Sequence, residues 1–153
     1  MNDQWKNRLA ELSLQLPEPL AALGSYSVVT IDDDRVYVSG LGPFENGKPV
    51  QGVVGGNLSV EQGQHAARLT MLMILSCLDQ ACGLENIERC LRMTVYVRAG
   101  ADFQQHPKVA DGASELIKAL FGSDKMPARS ALGVHSLPMG IAVEIDTIFK
   151  LRR

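Results

Sequence analysis

The spacing of apolar residues near the start of the chain predicts an amphipathic helix. Apolar residues recur there at intervals of four, three and four positions, at Trp5, Leu9, Leu12 and Leu16. A residue that precedes proline disfavours the helical conformation, so a helix over residues 1–16 is expected to end before Pro17.

Two longer helices are predicted by the same kind of pattern. Residues 59–62 have the sequence of a capping box, and apolar residues recur behind them at helical spacing until Gly83. A further helix is expected to begin at His106, because Pro107 suits a first helical turn, and to continue until Gly122. These two helices are long enough to cover one face of a sheet.

Runs of β-branched and aromatic residues predict the first strands. Residues 26–31 and 35–41 form two such runs around an acidic triplet at residues 32–34, a pattern typical of a hairpin. Consecutive carboxylates in a tight turn point apart, so we interpret the triplet as a solvated turn rather than a cation site. Asn46-Gly47 predicts a second hairpin turn.

Three more strands are predicted in the second half of the chain. Residues 90–98 alternate between apolar and polar side chains, which indicates a strand with one buried face. Two final strands are expected over residues 129–136 and 141–151, joined by the turn Pro138-Met139-Gly140. We therefore expect these last two strands to form a hairpin.

This order of elements indicates an α+β fold, in which two long helices pack on one face of a mixed β-sheet within a single domain over residues 1–153. The opposite face is expected to be polar. Its predicted residues are Tyr37, Ser39, Arg92, Thr94, Tyr96, Arg129, Glu144 and Asp146. Such a face is either hydrated or covered by another copy of the chain in a closed oligomer.

Composition narrows the classes of function. The 153 residues include 15 Lys and Arg against 17 Asp and Glu, so the formal net charge is −2. This balance argues against an extended nucleic-acid-binding surface. No apolar run approaches the roughly 20 residues of a membrane span. Residues 1–16 carry charges that the apolar region of a signal peptide would not tolerate, so we expect a cytoplasmic protein.

Neither a metal centre nor a local catalytic motif is predicted. The three cysteines form no CxxC pair, and the three histidines have no ligand-like spacing. The glycines of residues 52–56 lack the strand-to-helix context of a dinucleotide loop. Candidate chemistry must therefore come from residues that are distant in sequence.

Arg129 is the main candidate. It follows Pro127-Ala128 and opens a predicted strand, where its guanidinium could present two parallel donors to a carboxylate. The alternative is an ordinary surface ion pair. Glu144 lies fifteen residues further on, and a hairpin would bring it to the same end of the sheet. An arginine and a glutamate at one site could hold a small acid and position a water molecule.

Six short segments of the chain form a recognisable set: Pro127-Ala128-Arg129-Ser130, Leu137-Pro138, Val143-Glu144-Ile145-Asp146, Gly24-Ser25-Tyr26-Ser27, Val38-Ser39-Gly40 and Thr94-Val95-Tyr96-Val97. In these segments the chain resembles the YjgF/RidA family of reactive-intermediate (enamine/imine) deaminases, also described as endoribonuclease L-PSP proteins. The resemblance covers about residues 20–153. The helix before Pro17 is an addition to the family core and resembles a longer RidA-like branch.

The resemblance implies a chorismate-mutase-like fold of the bacillus type, assembled as a homotrimer with clefts between subunits. Arg129 would bind the carboxylate of a 2-imino or 2-enamino acid, and Glu144 would position the hydrolytic water. Tyr26 and Ser39 would line the cleft, and backbone groups around Gly40 and Ala131 would contact the substrate. The product would be a 2-oxo acid with ammonia, and no cofactor would be needed.

Three positions depart from the family pattern. Ala131 replaces a cysteine, Leu41 replaces a glutamine, and an asparagine corresponds to the region of Asp111. A carboxylate at Asp111 is expected to compete with an anionic substrate for the Arg129 guanidinium. These departures favour, as an alternative, a non-catalytic protein that binds small carboxylates. Ribonuclease activity, which the family's other description suggests, is the least favoured function at this net charge.

Overall fold

A five-stranded mixed sheet, covered on one face by two long helices, forms the body of the protein. The computed structural model describes all residues 1–153. In chain order the elements are α1 (Asp3–Glu11), β1 (Val29–Asp32), β2 (Arg35–Leu41), β3 (Phe44–Glu45), β4 (Lys48–Pro49), α2 (Val60–Cys82), β5 (Ile87–Arg98), α3 (His106–Phe121), β6 (Ala128–Val134) and β7 (Val143–Leu151). The predicted α+β fold is confirmed.

The two long helices begin and end at the residues that the sequence indicates. At the start of α2 the Gln62 backbone N–H donates to Ser59 Oγ at 3.1 Å, and the Ser59 N–H donates to Gln62 Oε1 at 2.8 Å. Gly83 ends this helix at φ 78°, a value that favours glycine. Pro107 lies in the first turn of α3, and Gly122 ends it at φ 100°.

The first helix is shorter than predicted. It ends at Glu11 rather than just before Pro17, because Ser13 adopts a left-handed backbone conformation at φ 53°. The Leu14 N–H then donates to the Leu9 carbonyl at 2.8 Å, which closes the last turn. The apolar residues beyond it still pack against the core, but from an irregular segment. Apolar spacing alone therefore placed the end of this helix too late.

Both predicted N-terminal hairpins are confirmed. Strand β1 pairs antiparallel with β2 across the acidic turn, where Asp33 has φ 54°. Strands β3 and β4 form a small separate pair around Asn46 and Gly47, both with positive φ. These tight turns join strands that are adjacent in sequence and in space.

The hairpin predicted for the last two strands is wrong. The strand order is β1-β2-β7-β5-β6, so β5 lies between β6 and β7. Strand β5 pairs parallel with β6 and antiparallel with β7. The turn residues at 138–140 reverse the chain, but they do not determine which strand becomes the neighbour. The 12-residue β5 pairs along both of its edges and thereby separates the last two strands, while β7 takes the central position of the sheet.

The two faces of the sheet differ as the alternation in β5 predicts. Met93, Val95 and Val97 are fully buried, whereas Thr94 and Tyr96 lie on the open face, which no helix covers. The alternation pattern predicted Arg129 on that open face, and this prediction is wrong. Arg129 is opposite Met93 in the parallel register and therefore points toward the helices. No helix of the protein is both long enough and apolar enough to cross a membrane.

Candidate active site

Arg129 lies near the start of β6, the edge strand of the sheet, under α3. Its Nη1 atom donates to Asp111 Oδ1 at 2.8 Å and to Ser114 Oγ at 3.0 Å. Asp111 and Ser114 are three residues apart on α3 and so face the same direction. We call Arg129, Asp111 and Ser114 the arginine group.

Only part of the Arg129 guanidinium is engaged. Both contacts fall on Nη1, and neither Nε nor Nη2 has a hydrogen-bond partner within the chain. Neither atom is among the buried polar atoms that lack a partner, so both are open to solvent. The Nε–Nη2 edge is the one that can grip a carboxylate with two parallel hydrogen bonds. A ligand carboxylate and Asp111 can therefore bind Arg129 together.

The arginine group borders a shallow cavity of ≈ 370 Å³. Lys118 adds a second cationic side chain to its lining and Glu115 a second carboxylate, while Met126 and Pro127 supply apolar surface. Ala131 lies two residues after Arg129 on the same side of β6. The cavity combines charge recognition with a small apolar wall, which suits a small organic acid.

Glu144 lies at the start of β7, on the open face of the sheet and opposite Tyr96 of β5. Its half-buried side chain packs on Gly40 of β2, where an added Cβ would approach the Glu144 carboxyl carbon and Oε2 to 2.9 Å. The pairing of β2 with β7 shifts register between Val38 and Leu41. Glycine at position 40 thus leaves the space that the glutamate occupies.

Ser39 directly precedes Gly40, and a hydrogen bond links it to the segment that carries Tyr26. Ser39 Oγ donates to the Ser27 carbonyl at 2.7 Å, which ties the segment before β1 to β2. Tyr26 lies in that segment, with 49% of its surface exposed. We call Tyr26, Ser39, Gly40 and Glu144 the glutamate group.

The carboxyl of Glu144 has no hydrogen-bond donor or cation as a partner within the chain. Burial raises its pKa above the usual value, and the negative charge of nearby Asp146 raises it further. Tyr96 does not relieve this effect, since its hydroxyl donates to Asp146 Oδ2 at 3.0 Å. The raised pKa moves Glu144 toward the range in which a carboxyl exchanges protons readily near neutral pH.

One chain does not bring Arg129 and Glu144 together. They lie on opposite faces of the sheet, and β5 separates the strands that carry them. Along β5 their partners are Met93 and Tyr96, three residues or roughly 10 Å apart. The predicted site residues therefore form two groups, with Ala131 and Asp111 beside Arg129.

Sequence reasoning did not identify three polar residues that shape these groups. Ser114 contacts Arg129, and its signal was a small polar residue one helical turn from Asp111. Tyr96 and Asp146 were expected only as members of a polar face, although their pairing borders Glu144. The predicted proximity of Asp111 to Arg129 is confirmed by their ion pair.

These features define a small α+β protein of the chorismate-mutase-like type, with an arginine open to an anion at one edge of its sheet. The chain belongs to the family described as "YjgF/chorismate mutase-like, putative endoribonuclease", which it matches over residues 6–143. The family indicated by the sequence motifs is confirmed.

Individual relatives extend over almost the whole chain. Protein TCP17 of Trypanosoma cruzi is 35% identical over 146 residues, which are 94% of this chain and 91% of the relative. The crystal structure of Atu1372 from Agrobacterium tumefaciens, a protein of unknown function, is 37% identical, with a TM-score of 0.87 over 95% of this chain and 91% of that one. A "putative endoribonuclease" from Shewanella oneidensis is 32% identical, with a TM-score of 0.90 over 95% and 98%.

Proposed function

We propose that this protein is a cofactor-free hydrolytic deaminase, which converts reactive 2-imino and 2-enamino acids into 2-oxo acids and ammonia. The observation that carries the proposal is Glu144, a half-buried carboxyl with a raised pKa and no protein partner. A protein that only binds anions has no need of such a group. Because its raised pKa makes it a stronger base than an ordinary carboxylate, an unpaired Glu144 is suited to accept a proton during hydrolysis.

The proposed reaction uses the two groups in different roles. The Nε–Nη2 edge of Arg129 binds the substrate carboxylate, and Glu144 orients a water molecule and accepts its proton as the oxygen bonds to the imine carbon. As the oxygen bonds, the imine nitrogen takes up a proton from solvent and an amino alcohol forms. Glu144 then passes its proton to this nitrogen, the hydroxyl releases its proton to solvent as the C=O bond forms, and the C–N bond breaks to give ammonia and the 2-oxo acid. An enamine first takes a proton at its carbon and becomes the imine.

We further propose that the cleft forms between subunits of a homotrimer. Arg129 and Glu144 of one chain face opposite directions, so Arg129 of one copy needs Glu144 from a neighbour. The open face offers apolar surface for such an assembly, because Tyr37 and Leu132 are 40% and 38% exposed. Closed symmetry would repeat the same cleft at each interface.

The test is the release of 2-oxo acid when an amino-acid dehydratase generates the imine in the same vessel. The protein should accelerate product formation over spontaneous hydrolysis, and Arg129→Ala and Glu144→Gln should each remove at least about 90% of that acceleration. Arg153→Ala is the matched control, since Arg153 forms an exposed ion pair with Asp34 at 3.4 Å. Equal rates with and without the protein would refute the deaminase proposal.

A second candidate is a carboxylate-binding protein without turnover, which the ion pair between Asp111 and Arg129 favours. In that case pyruvate would raise the melting temperature of a protein that leaves the imine untouched. The net charge of −2 does not favour RNA binding, which the family's endoribonuclease description suggests. Repurified protein is expected to leave labelled RNA intact.

A further inference from the structure

Two carboxylates lie side by side on the open face of the sheet, and only one of them has a partner. Glu144 and Asp146 are two residues apart on β7, so their side chains point to the same face. The Tyr96 hydroxyl donates to Asp146 Oδ2 at 3.0 Å, whereas the Glu144 carboxyl receives no hydrogen bond from the chain. Tyr96 thus satisfies one acid and leaves the other free.

The register of the strands places Tyr96 nearer to the acid that it does not contact. In the antiparallel ladder of β5 and β7, Tyr96 is directly opposite Glu144, while Asp146 is opposite Thr94. The Cβ atoms of directly opposite residues are about 5 Å apart, and those of diagonal neighbours about 7 Å. The hydrogen bond to Asp146, burial and the charges of both carboxylates raise the pKa of Tyr96, so both acids lie within electrostatic reach of its hydroxyl.

The other polar groups around the two acids are engaged elsewhere. On β5, Arg92 donates to a serine of β6 at 2.6 Å, Arg98 donates to a backbone carbonyl at 3.1 Å, and neither forms an ion pair with the two acids. On the β2 side, Gly40 packs against the glutamate and brings no side chain. The Tyr96 hydroxyl is therefore the donor for which the two carboxylates compete.

We propose that Asp146 is a positioning residue for the reaction, which accepts the Tyr96 hydroxyl and so leaves the Glu144 carboxylate free to bind the hydrolytic water. This inference rests on the proposed function, in which Glu144 orients that water. A hydroxyl that donated to Glu144 would occupy an oxygen that the water needs. It would also stabilise the charged carboxylate and weaken it as a base.

The first test removes the acceptor and then the donor. Asp146→Ala frees the Tyr96 hydroxyl to turn to Glu144, so kcat for release of the 2-oxo acid should fall about tenfold, the effect of one hydrogen bond to a charged group. Adding Tyr96→Phe removes the competing donor, so the double variant should recover most of the loss. KM should change little in either variant, because the substrate carboxylate binds at Arg129.

Two further variants serve as comparisons. The amide oxygen of Asp146→Asn can still accept from Tyr96, so its kcat should stay within about threefold of wild type. Asp34→Ala is the matched control, since it removes a carboxylate at the end of β2 remote from Gly40 and should leave kcat unchanged. A loss in Asp146→Asn as large as that in Asp146→Ala would refute the proposal, because the hydrogen bond would then not be the cause.

A second measurement does not depend on turnover. The titration of an isotope-labelled Glu144 carboxyl is followed by NMR, and its pKa should be lower in Asp146→Ala than in the double variant, because only the single variant lets Tyr96 donate to it. Equal pKa values would overturn the role of Asp146, and so would a double variant slower than Asp146→Ala, since losses that add indicate structural damage. If wild type shows no turnover, the deaminase proposal fails by itself, and the titration still decides whether Asp146 keeps Tyr96 from Glu144.

Discussion

The arginine group and the glutamate group differ in how their charges are satisfied. Arg129 is held at Nη1 by an opposite charge and by Ser114, and it presents a defined edge to solvent. Glu144 has no partner, lies half-buried against Gly40, and has a raised pKa. The first arrangement suits recognition, because it is rigid and charge-balanced. The second suits proton transfer, because the carboxyl is destabilised in its charged form.

The separation of the two groups has a practical consequence. Since they lie on opposite faces of one sheet, a substitution in one group has no direct contact with the other within a chain. Under the proposed function, we therefore expect substitutions in the glutamate group to lower turnover without loss of carboxylate binding at Arg129. Variants that change one property and leave the other intact are the means to test this comparison.

The largest effect is expected from Gly40→Ala. The added methyl would approach the Glu144 carboxyl to 2.9 Å and displace it, so kcat should fall about a hundredfold if Glu144 positions the water. Binding of pyruvate, measured by its effect on the melting temperature, should persist. Gly100→Ala is the matched control, because a Cβ at that position meets nothing within 4 Å. An unchanged kcat in Gly40→Ala would indicate that Glu144 does not position the water.

A smaller effect is expected in the pH dependence of stability. The pKa of Glu144 is raised above 4.5 in the folded protein, so the protonated side chain favours folding at low pH. This contribution to the free energy of unfolding is lost as the pH rises through the pKa of the folded state. Glu144→Gln should therefore melt about 2 °C higher than wild type near pH 7 and at the same temperature near pH 4. Exposed Glu11→Gln should show no such pH-dependent gain. A lower melting temperature for Glu144→Gln near pH 7 would contradict the explanation that burial and the charge of Asp146 raise the pKa of Glu144.

Local signals in the sequence predicted most elements of the fold. The capping box before α2, the glycines that end both long helices and the turn at Asn46-Gly47 each act over a few residues, so their effects are readable from sequence. The end of α1 was misplaced because Ser13 leaves the helical region while the apolar spacing continues.

Long-range pairing was not predictable in the same way. Nothing in residues 129–151 specifies that β5 inserts between the last two strands, since this depends on packing against helices distant in sequence. The face of Arg129 was mispredicted for a separate reason: the alternation of residue types placed it on the polar face, whereas an ion pair with Asp111 holds it on the face covered by the helices. Residue types thus identified Arg129, Glu144 and Asp111 as candidates, whereas their division into two groups required the structure.

The most direct test of the central claim is to mix two inactive variants. Arg129→Ala and Glu144→Gln are unfolded and refolded together, then assayed for acceleration of 2-oxo acid release beside each variant refolded alone. If Arg129 of one copy works with Glu144 of its neighbour, random assembly restores about a quarter of the wild-type activity. If the mixture stays as inactive as its components while the refolded wild type is active, a cleft built from both groups of neighbouring copies is contradicted.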